Sequence, residues 1–332
     1  MSTNSATGGA GPSRPALQVA APGATKAVRR SHLQREESIA GFLFVLPFIL
    51  GFLIFNAGPM LASLYLSFTT YDVLNPPIWV GFQNYRQMFG DELWLKSLGN
   101  TFFYAVLHVP LAMLTALGLA ILLNKQVRGL SFFRTAFYLP TITPVVAASV
   151  LWLRILGSQN GLLNEALGLL HIPGPSWLLD ANWVKPALVI FGLWGVGGTM
   201  VIYLAALQQV PKELHEAALV DGANAWQRFI GITIPMISGV LFFTLVLGTI
   251  GALQLFTQAY IIFPVNGSQT HEAGPQNSAL FYVPNLFDQA FSYFHMGYAS
   301  ALAWILFIII MIITAIQVRG SRRFVYTEAS QQ

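Results

Sequence analysis

Six windows of this 332-residue chain contain no Asp, Glu, Lys or Arg: 38–71, 97–124, 135–153, 186–211, 229–271 and 289–318. Each reaches the roughly 18 residues at which an apolar run can cross a bilayer, and no other window does. Backbone groups in hydrocarbon have no water to bond, so runs of this length must satisfy themselves as helices. The windows therefore predict an all-α integral membrane protein with six transmembrane helices. Composition agrees, with 55% hydrophobic residues and 9% charged, where a soluble domain carries about 25% charged residues. The mean hydropathy is +0.60.

The positive charges set the predicted orientation. An even number of spans puts both termini on one side, together with Arg14, Lys26, Arg29, Arg30, Arg35, Lys125, Arg128, Arg134, Lys212, Arg228, Arg319, Arg322 and Arg323. The other side receives only Arg86, Lys96, Arg154 and Lys185. Thirteen against four predicts both termini in the cytoplasm. The net charge of +4 then reflects topology, and no nucleic-acid partner is expected because no basic cluster lies on a soluble domain. The chain has no cysteine, which excludes disulfides, thiolate chemistry and cysteine-ligated metals. No apolar segment precedes the first span, so no cleaved signal peptide is expected. Residues 1–37, rich in Gly, Ala, Ser and Pro at their start, read as a disordered cytoplasmic tail, 38–323 as the six-span domain and 324–332 as a C-terminal cytoplasmic tail.

The expected spans are 39–66, 101–123, 135–153, 186–207, 236–263 and 297–318. Pro47, Asn56, Gly58 and Pro59 predict a kink or a broken outer end in the first. Pro140 and Pro144 interrupt the third. Gly192, Gly195, Gly197 and Gly198 in the fourth read as a face for close helix packing. The outer-loop aromatics Trp79, Phe82, Tyr85 and Trp94 read as residues at headgroup level, and the outer loop 157–185 as one ordered by tight turns.

Between spans 4 and 5, residues 211–235 are longer than a simple turn and read as helix, turn, helix. Pro211 suits a first helical turn, and Glu213 and Glu216 favour the positive end of that helix. Gly222 permits the left-handed conformation that ends a helix, Asn224 can cap the next one, and Pro235 marks the start of span 5. Ala217 and Ala218 leave a small flat surface beside the Glu216 carboxylate. Two readings remain at this point: a surface for another protein's cleft, or an amphipathic helix lying on the membrane.

Glu216-Ala217-Ala218, then Asp221-Gly222, then Ile232 and Pro235 resemble the "EAA" loop of permease subunits in binding-protein-dependent ABC importers. The resemblance runs from about Ile39 to Arg323. Within it, Val80 to Tyr85, Asn100-Thr101, Phe133-Arg134-Thr135 with Leu139-Pro140, Gly161 to Asn164, Trp177-Leu178, Ala205 to Gln208 and Met296 to Ala301 look like the carbohydrate-uptake branch. The chain is similar there to the first of two paired permeases of the maltose, lactose and glycerol-3-phosphate type. Two positions depart from the pattern: His215 stands where an aromatic is common, and Ala273-Gly274-Pro275 is displaced by an insertion.

The resemblance implies an ABC importer type I permease fold in a bacterial or archaeal cytoplasmic (inner) membrane, and a subunit that is not itself an enzyme. The implied partners are a second paralogous permease, a dimeric cytoplasmic ATPase, an extracytoplasmic solute-binding protein, membrane lipid and a sugar substrate. Glu216, Ala217, Ala218, Asp221 and Gly222 would couple to the ATPase, which would carry the ATP and Mg. None of the five lysines follows a glycine, so the chain has no phosphate-cradling Walker A loop of its own. No catalytic residue, bound cofactor or metal is expected in this chain.

A sugar site needs polar groups for hydroxyls and an aromatic platform near the midplane. Gln254, Thr257 and Gln258 stand at i, i+3 and i+4 on one predicted helical face, with Trp194 and Gly198 in span 4. Each has a second reading: interhelical hydrogen bonding for the polar three, packing for Trp194. His108 in span 2 has no acidic partner in any span, which argues against a proton relay. The alternatives are a permease for a non-sugar solute such as glycerol-3-phosphate, or a self-sufficient secondary transporter. The latter should carry ion-coupling carboxylates within its spans, and no window holds one.

Overall fold

The computed structural model describes residues 32–125, 128–158, 161–265 and 272–321. The tail expected at 1–31 and the terminus 322–332 lie outside the described residues, as do Gly267 and the basic residues Arg14, Lys26, Arg29, Arg30, Arg322 and Arg323. The chain divides into two compact units, 1–59 and 60–332.

The first unit contains α1 (His32–Phe52), a π turn (Leu53–Ala57) and the start of α2 (Gly58–Leu66). Helix α1 begins at His32, so residues 32–37, read as disordered tail, are helical. Where a kink or a broken outer end is expected near Pro59, the helix takes a single wide turn in which the Gly58 amide donates to the Leu53 carbonyl. Proline has no N–H to offer, and the inserted residue absorbs the mismatch without ending the helix.

The second unit continues with a two-residue hairpin, β1 (Thr69–Thr70) and β2 (Ile78–Trp79), antiparallel with Thr69 opposite Trp79. Short α3 (Gln83–Phe89) leads to α4 (Glu92–Leu123), which starts nine residues before the expected span because Asp91 caps it through the Leu93 amide (2.9 Å). Helices α5 (Leu130–Ile142) and α6 (Val145–Ile155) are bent by 103° at Thr143–Pro144, and α7 (Leu162–Leu169) follows. Helices α8 (Ala181–Trp194) and α9 (Gly197–Gln208) are bent by 51°. Then come α10 (Lys212–Val220), α11 (Ala225–Arg228), α12 (Ile234–Leu253), α13 (Thr257–Ile262), α14 (Tyr282–Phe287) and α15 (Met296–Ser321). Among the described residues, four helical runs are long and apolar enough to cross a membrane, and the two bent pairs make six if each counts as one span.

Helix α4 is the hub, packing against α8, α9, α12 and α14. Its C-terminal half contributes Ala116, Ala120 and Leu123 to a core with Met200, Tyr203 and Leu204 of α9 and Ile237 of α12. The Tyr203 hydroxyl bonds Thr244 across α9 and α12 at 2.6 Å. Close approach here needs small residues: a Cβ on Gly197 would strike the Phe137 carbonyl of α5, and one on Gly192 would meet His108 and Tyr104 of α4.

On the other end of the bundle, several short motifs turn out to be clips. Asn100 donates to the Asn277 and Leu280 carbonyls (2.9 Å each) and accepts from Lys185 (3.3 Å), while Thr101 accepts the Tyr282 amide (2.9 Å). The Asn164 carbonyl accepts from the Trp177 indole (2.7 Å), which closes the loop that carries α7. Asn84 donates to the Ser67 and Thr69 carbonyls (2.9 Å each). Trp94, read as a headgroup aromatic, is a core residue instead, 4% exposed beside Met88, Tyr282 and Leu302. Its place in the first turn of α4 faces it inward, where apolar burial wins.

Candidate functional site

The loop between α9 and α12 folds from local signals. Pro211 is the residue before α10 rather than its first helical residue, with φ −59° and ψ 133°. Glu213 lies in the first turn and Glu216 is exposed on the same helix. The helix ends in a Schellman turn: the Ala223 amide donates to Ala218 (2.9 Å) and the Gly222 amide to Leu219 (3.1 Å). Gly222 adopts φ +81°, a left-handed conformation that any Cβ disfavours. Asn224 and Gln227 then form a reciprocal capping box, at 2.9 and 2.8 Å. From α11 the chain passes through a π turn (Phe229–Thr233) directly into α12. Pro235 sits in the first turn of α12, at the expected entry to span 5, and the wide turn before it joins α11 to α12 in one run and accommodates the missing N–H.

The chemistry of this loop is written on its surface. Glu216, Ala217, Asp221 and Gly222 are exposed and Ala218 is half-buried. Beside them stand Val220 (88% exposed), Trp226 (67%) and Leu219 (59%). These side chains form an exposed apolar patch rimmed by the carboxylates of Glu216 and Asp221.

The second candidate region is where three helical runs are interrupted. Helix α12 stops at Leu253 and α13 begins at Thr257, with Phe256 at φ −129° and ψ −72° between them. Gln254, Thr257 and Gln258 therefore do not share one continuous helical face: Gln254 terminates α12, while Thr257 and Gln258 open α13. The i, i+3, i+4 spacing assumed a regular helix through Gln254–Phe256, and the backbone breaks there. Gln254 is exposed and the other two half-buried, and none of the three side chains hydrogen-bonds another described residue. Interhelical hydrogen bonding by the three is thus not seen among the described residues.

Helix α13 packs on α6, and α6 in turn presents Trp152 to α8. Trp152 stacks on Phe191 (5.2 Å between ring centres) and meets Trp194 edge-on (6.1 Å). Trp194 is half-buried at the end of α8, next to the bend into α9. Gly198 lies beyond that bend, its amide donating to the Thr141 hydroxyl of α5 at 3.1 Å. The structure thus packs both Trp194 and the α12–α13 break against α6. Gly198 belongs to the α5–α9 packing and contributes a backbone contact there.

Two features were not read from the sequence. Lys185, assigned to a loop, lies within α8, 4.8 Å over the Phe103 ring and bonded to Asn100. Asp288 is 3% exposed in a π turn (Asp288–Ser292), with one carboxylate oxygen bonded to Ser292 at 3.0 Å and the other without a partner among the described residues. Burial pushes its carboxyl up, and the Ser292 hydroxyl opposes that. Its position one residue before a charge-free window gave no sign that the chain folds back over it. His108 stacks on Tyr104 (4.8 Å, 10°) beside Gly192. Among the described residues, no group of three or more His, Asp or Glu could hold a metal.

Residues 38–326 match the family described as binding-protein-dependent transport system inner membrane component. A probable ABC transporter permease protein, YesP, of Bacillus subtilis is 41% identical over 92% of this chain and 98% of its own length. The lactose transport system permease protein LacF of Rhizobium radiobacter is 33% identical over 88% of this chain and 97% of its own. A chain of a bacterial alginate ABC transporter, solved in complex with an alginate pentasaccharide-bound periplasmic protein, superposes with a TM-score of 0.77, covering 90% of this chain and 99% of that one at 22% identity. That last likeness is one of fold.

Proposed function

This chain belongs to the family of binding-protein-dependent transport system inner membrane components, and on that premise we propose that it is the permease subunit of an ATP-driven sugar importer. The sugar cargo is supported by the lactose permease relative. The observation that carries the coupling role is the loop 211–235, an exposed helix closed by Gly222 with φ +81° and flanked by solvent-facing Val220 and Trp226. Such a surface is unfavourable in water alone and favours a partner that buries it. In this reading a cytoplasmic ATPase dimer, carrying ATP and Mg, grips α10. Glu216 makes a charge-assisted contact in its cleft, and Ala217 and Ala218 let the two backbones approach. The capping box and the continuous run from α11 into α12 give the loop a stiff connection to the bundle.

Closure of the ATPase then moves α12 as a lever, and the α12–α13 break turns that motion into opening or sealing of the path. Gln254, Thr257, Gln258 and Trp194 bound that path and contact sugar hydroxyls and ring faces. A paralogous permease supplies the other half, and an extracytoplasmic binding protein delivers cargo. Both termini lie in the cytoplasm in this arrangement.

The test is reconstitution. The chain should co-purify with an ATPase and a second permease, and proteoliposomes of the assembly should accumulate sugar only with ATP and a loaded binding protein. Transport by this chain alone, without ATP, would overturn the proposal.

A further inference from the structure

We infer that a polar pocket formed by the outer hairpin, α3 and the start of α15 is a subsite for one ring of a neutral saccharide, outside the membrane path. The inference rests on the sugar-import reading and on the orientation proposed with it. The pocket is a cavity of about 260 Å³, below the roughly 300–1,000 Å³ of pockets that enclose a drug-sized ligand, so it suits a single ring.

Its lining selects the ligand. Gln83 and Gln87 stand one turn apart on α3, both exposed, and neither side chain bonds another described residue. Thr70 and Tyr71, also without a side-chain hydrogen bond among the described residues, line the same cavity and carry hydroxyls. Asp72 adds a carboxylate whose two oxygens are fixed by the Asn75 amide (2.8 Å) and side chain (2.7 Å). Those bonds hold the carboxyl below its usual range, so it stays ionised. Neither Lys nor Arg is among the described residues that line the cavity, which disfavours an anionic ligand. Amides, hydroxyls and a carboxylate set to exchange hydrogen bonds, with His295 for a ring face, match neighbouring hydroxyls on a sugar.

The frame is preorganised. Asn84 is 6% exposed and ties α3 to the hairpin. The Gly297 amide bonds the Tyr71 carbonyl at 3.3 Å, and a Cβ on Gly297 would strike Thr69. Tyr298 is anchored to Asp91 at 2.7 Å. Phe294 (φ 58°) lines the pocket in a left-handed conformation next to His295, and Val73 (φ 73°), which follows Asp72 in the chain, is left-handed too. Strain of this kind in residues with a Cβ persists where surrounding contacts enforce it, and it gathers at ligand clamps.

The test uses the assembled importer in lipid nanodiscs, with lactose at millimolar concentration as probe and saturation-transfer NMR as readout. Gln83→Ala with Gln87→Ala, both on an exposed face, should leave helicity and ATPase activity unchanged. It should weaken lactose binding about fivefold or more, since each neutral hydrogen bond contributes about a factor of five. An unchanged lactose signal in the double variant, or no signal in the wild type, overturns the inference. So does weaker docking of the ligand-free binding protein to the double variant, which would make the pocket part of a protein interface. Sugar accumulation by wild-type proteoliposomes without pocket binding sinks this inference alone. Failure of the wild type to accumulate any sugar sinks the import reading beneath it.

Discussion

The turn at Asp221–Gly222 and the break at Gln254–Phe256 both interrupt a helical run, and they do so by different physics. At the turn, every needed signal is local: a glycine for φ +81°, two amides for the last carbonyls, and an Asn–Gln box for the next helix. At the break no proline or glycine stands within Gln254–Phe256. The chain leaves helical geometry there because Leu253 and Leu255 are drawn into the core formed with Trp152 and Phe191. One interruption is encoded in its own residues and is exposed. The other is imposed by packing and surrounds the proposed path. A locally encoded turn can tolerate many neighbours and still transmit force, whereas an imposed break shifts whenever its packing does.

The largest expected effect tests the first half of that contrast. A Cβ on Gly222 would meet nothing within 4 Å, so a bulky residue fits sterically and suffers only from the left-handed backbone. Gly222→Trp should cost the turn about 1–2 kcal/mol and place an indole on the docking face. Uptake should fall by about two orders of magnitude while the purified assembly keeps its helicity and its ATPase activity escapes control by the binding protein. Normal uptake would mean that the loop does not couple.

Packing is tested next, at the bend that Gly197 allows. Gly197→Val forces a side chain against the Phe137 carbonyl, and overpacking of this kind costs about 1–3 kcal/mol or more. The midpoint of thermal unfolding in detergent should drop, with uptake falling in proportion to folded protein. Loss of uptake at unchanged stability would point to a direct role in the path. Gln254→Ala should do the reverse: an uptake loss of about tenfold, with ATPase stimulation and melting temperature unaltered, because its exposed side chain has no hydrogen-bond partner among the described residues. Unchanged uptake in that variant would remove Gln254 from the site.

The same contrast explains what the sequence discloses. Charge-free windows located all six apolar runs, since placing a charge in hydrocarbon costs more than any local preference can offset. Gly222, Asn224 and the loop between them were legible because caps and left-handed glycines act over four residues. The 103° bend between α5 and α6 was half legible, in Pro144. The α12–α13 break was not, because it depends on α6, a hundred residues away in sequence. Nor was the burial of Trp94 and Asp288, each set by helices that pack over it. Motifs such as Asn100-Thr101 marked a resemblance, yet their physical role, clipping Asn277, Leu280 and Tyr282 to α4, depends on partners about 180 residues away in sequence.

The smallest effect comes from the cap itself, and it sharpens the comparison most. Asn224 accepts the Gln227 amide and its own amide is met by the Gln227 side chain. Asn224→Ala removes half of that box and should cost about 1 kcal/mol of local helix stability. If α11 merely links two elements, the loss stays local: faster amide exchange over 225–228, and uptake within about twofold of wild type. If α11 is instead the stiff joint through which α10 drives α12, fraying it should lower the uptake gained per ATP hydrolysed while leaving hydrolysis itself intact. We expect the second outcome, because the helical run from Ala225 continues through the π turn into α12 with no intervening loop. Measuring uptake per ATP hydrolysed in Asn224→Ala beside Asn224→Asp, which keeps a capping oxygen, separates the cap from the residue. A ratio lowered in the alanine variant and restored in the aspartate one identifies the cap as part of the coupling.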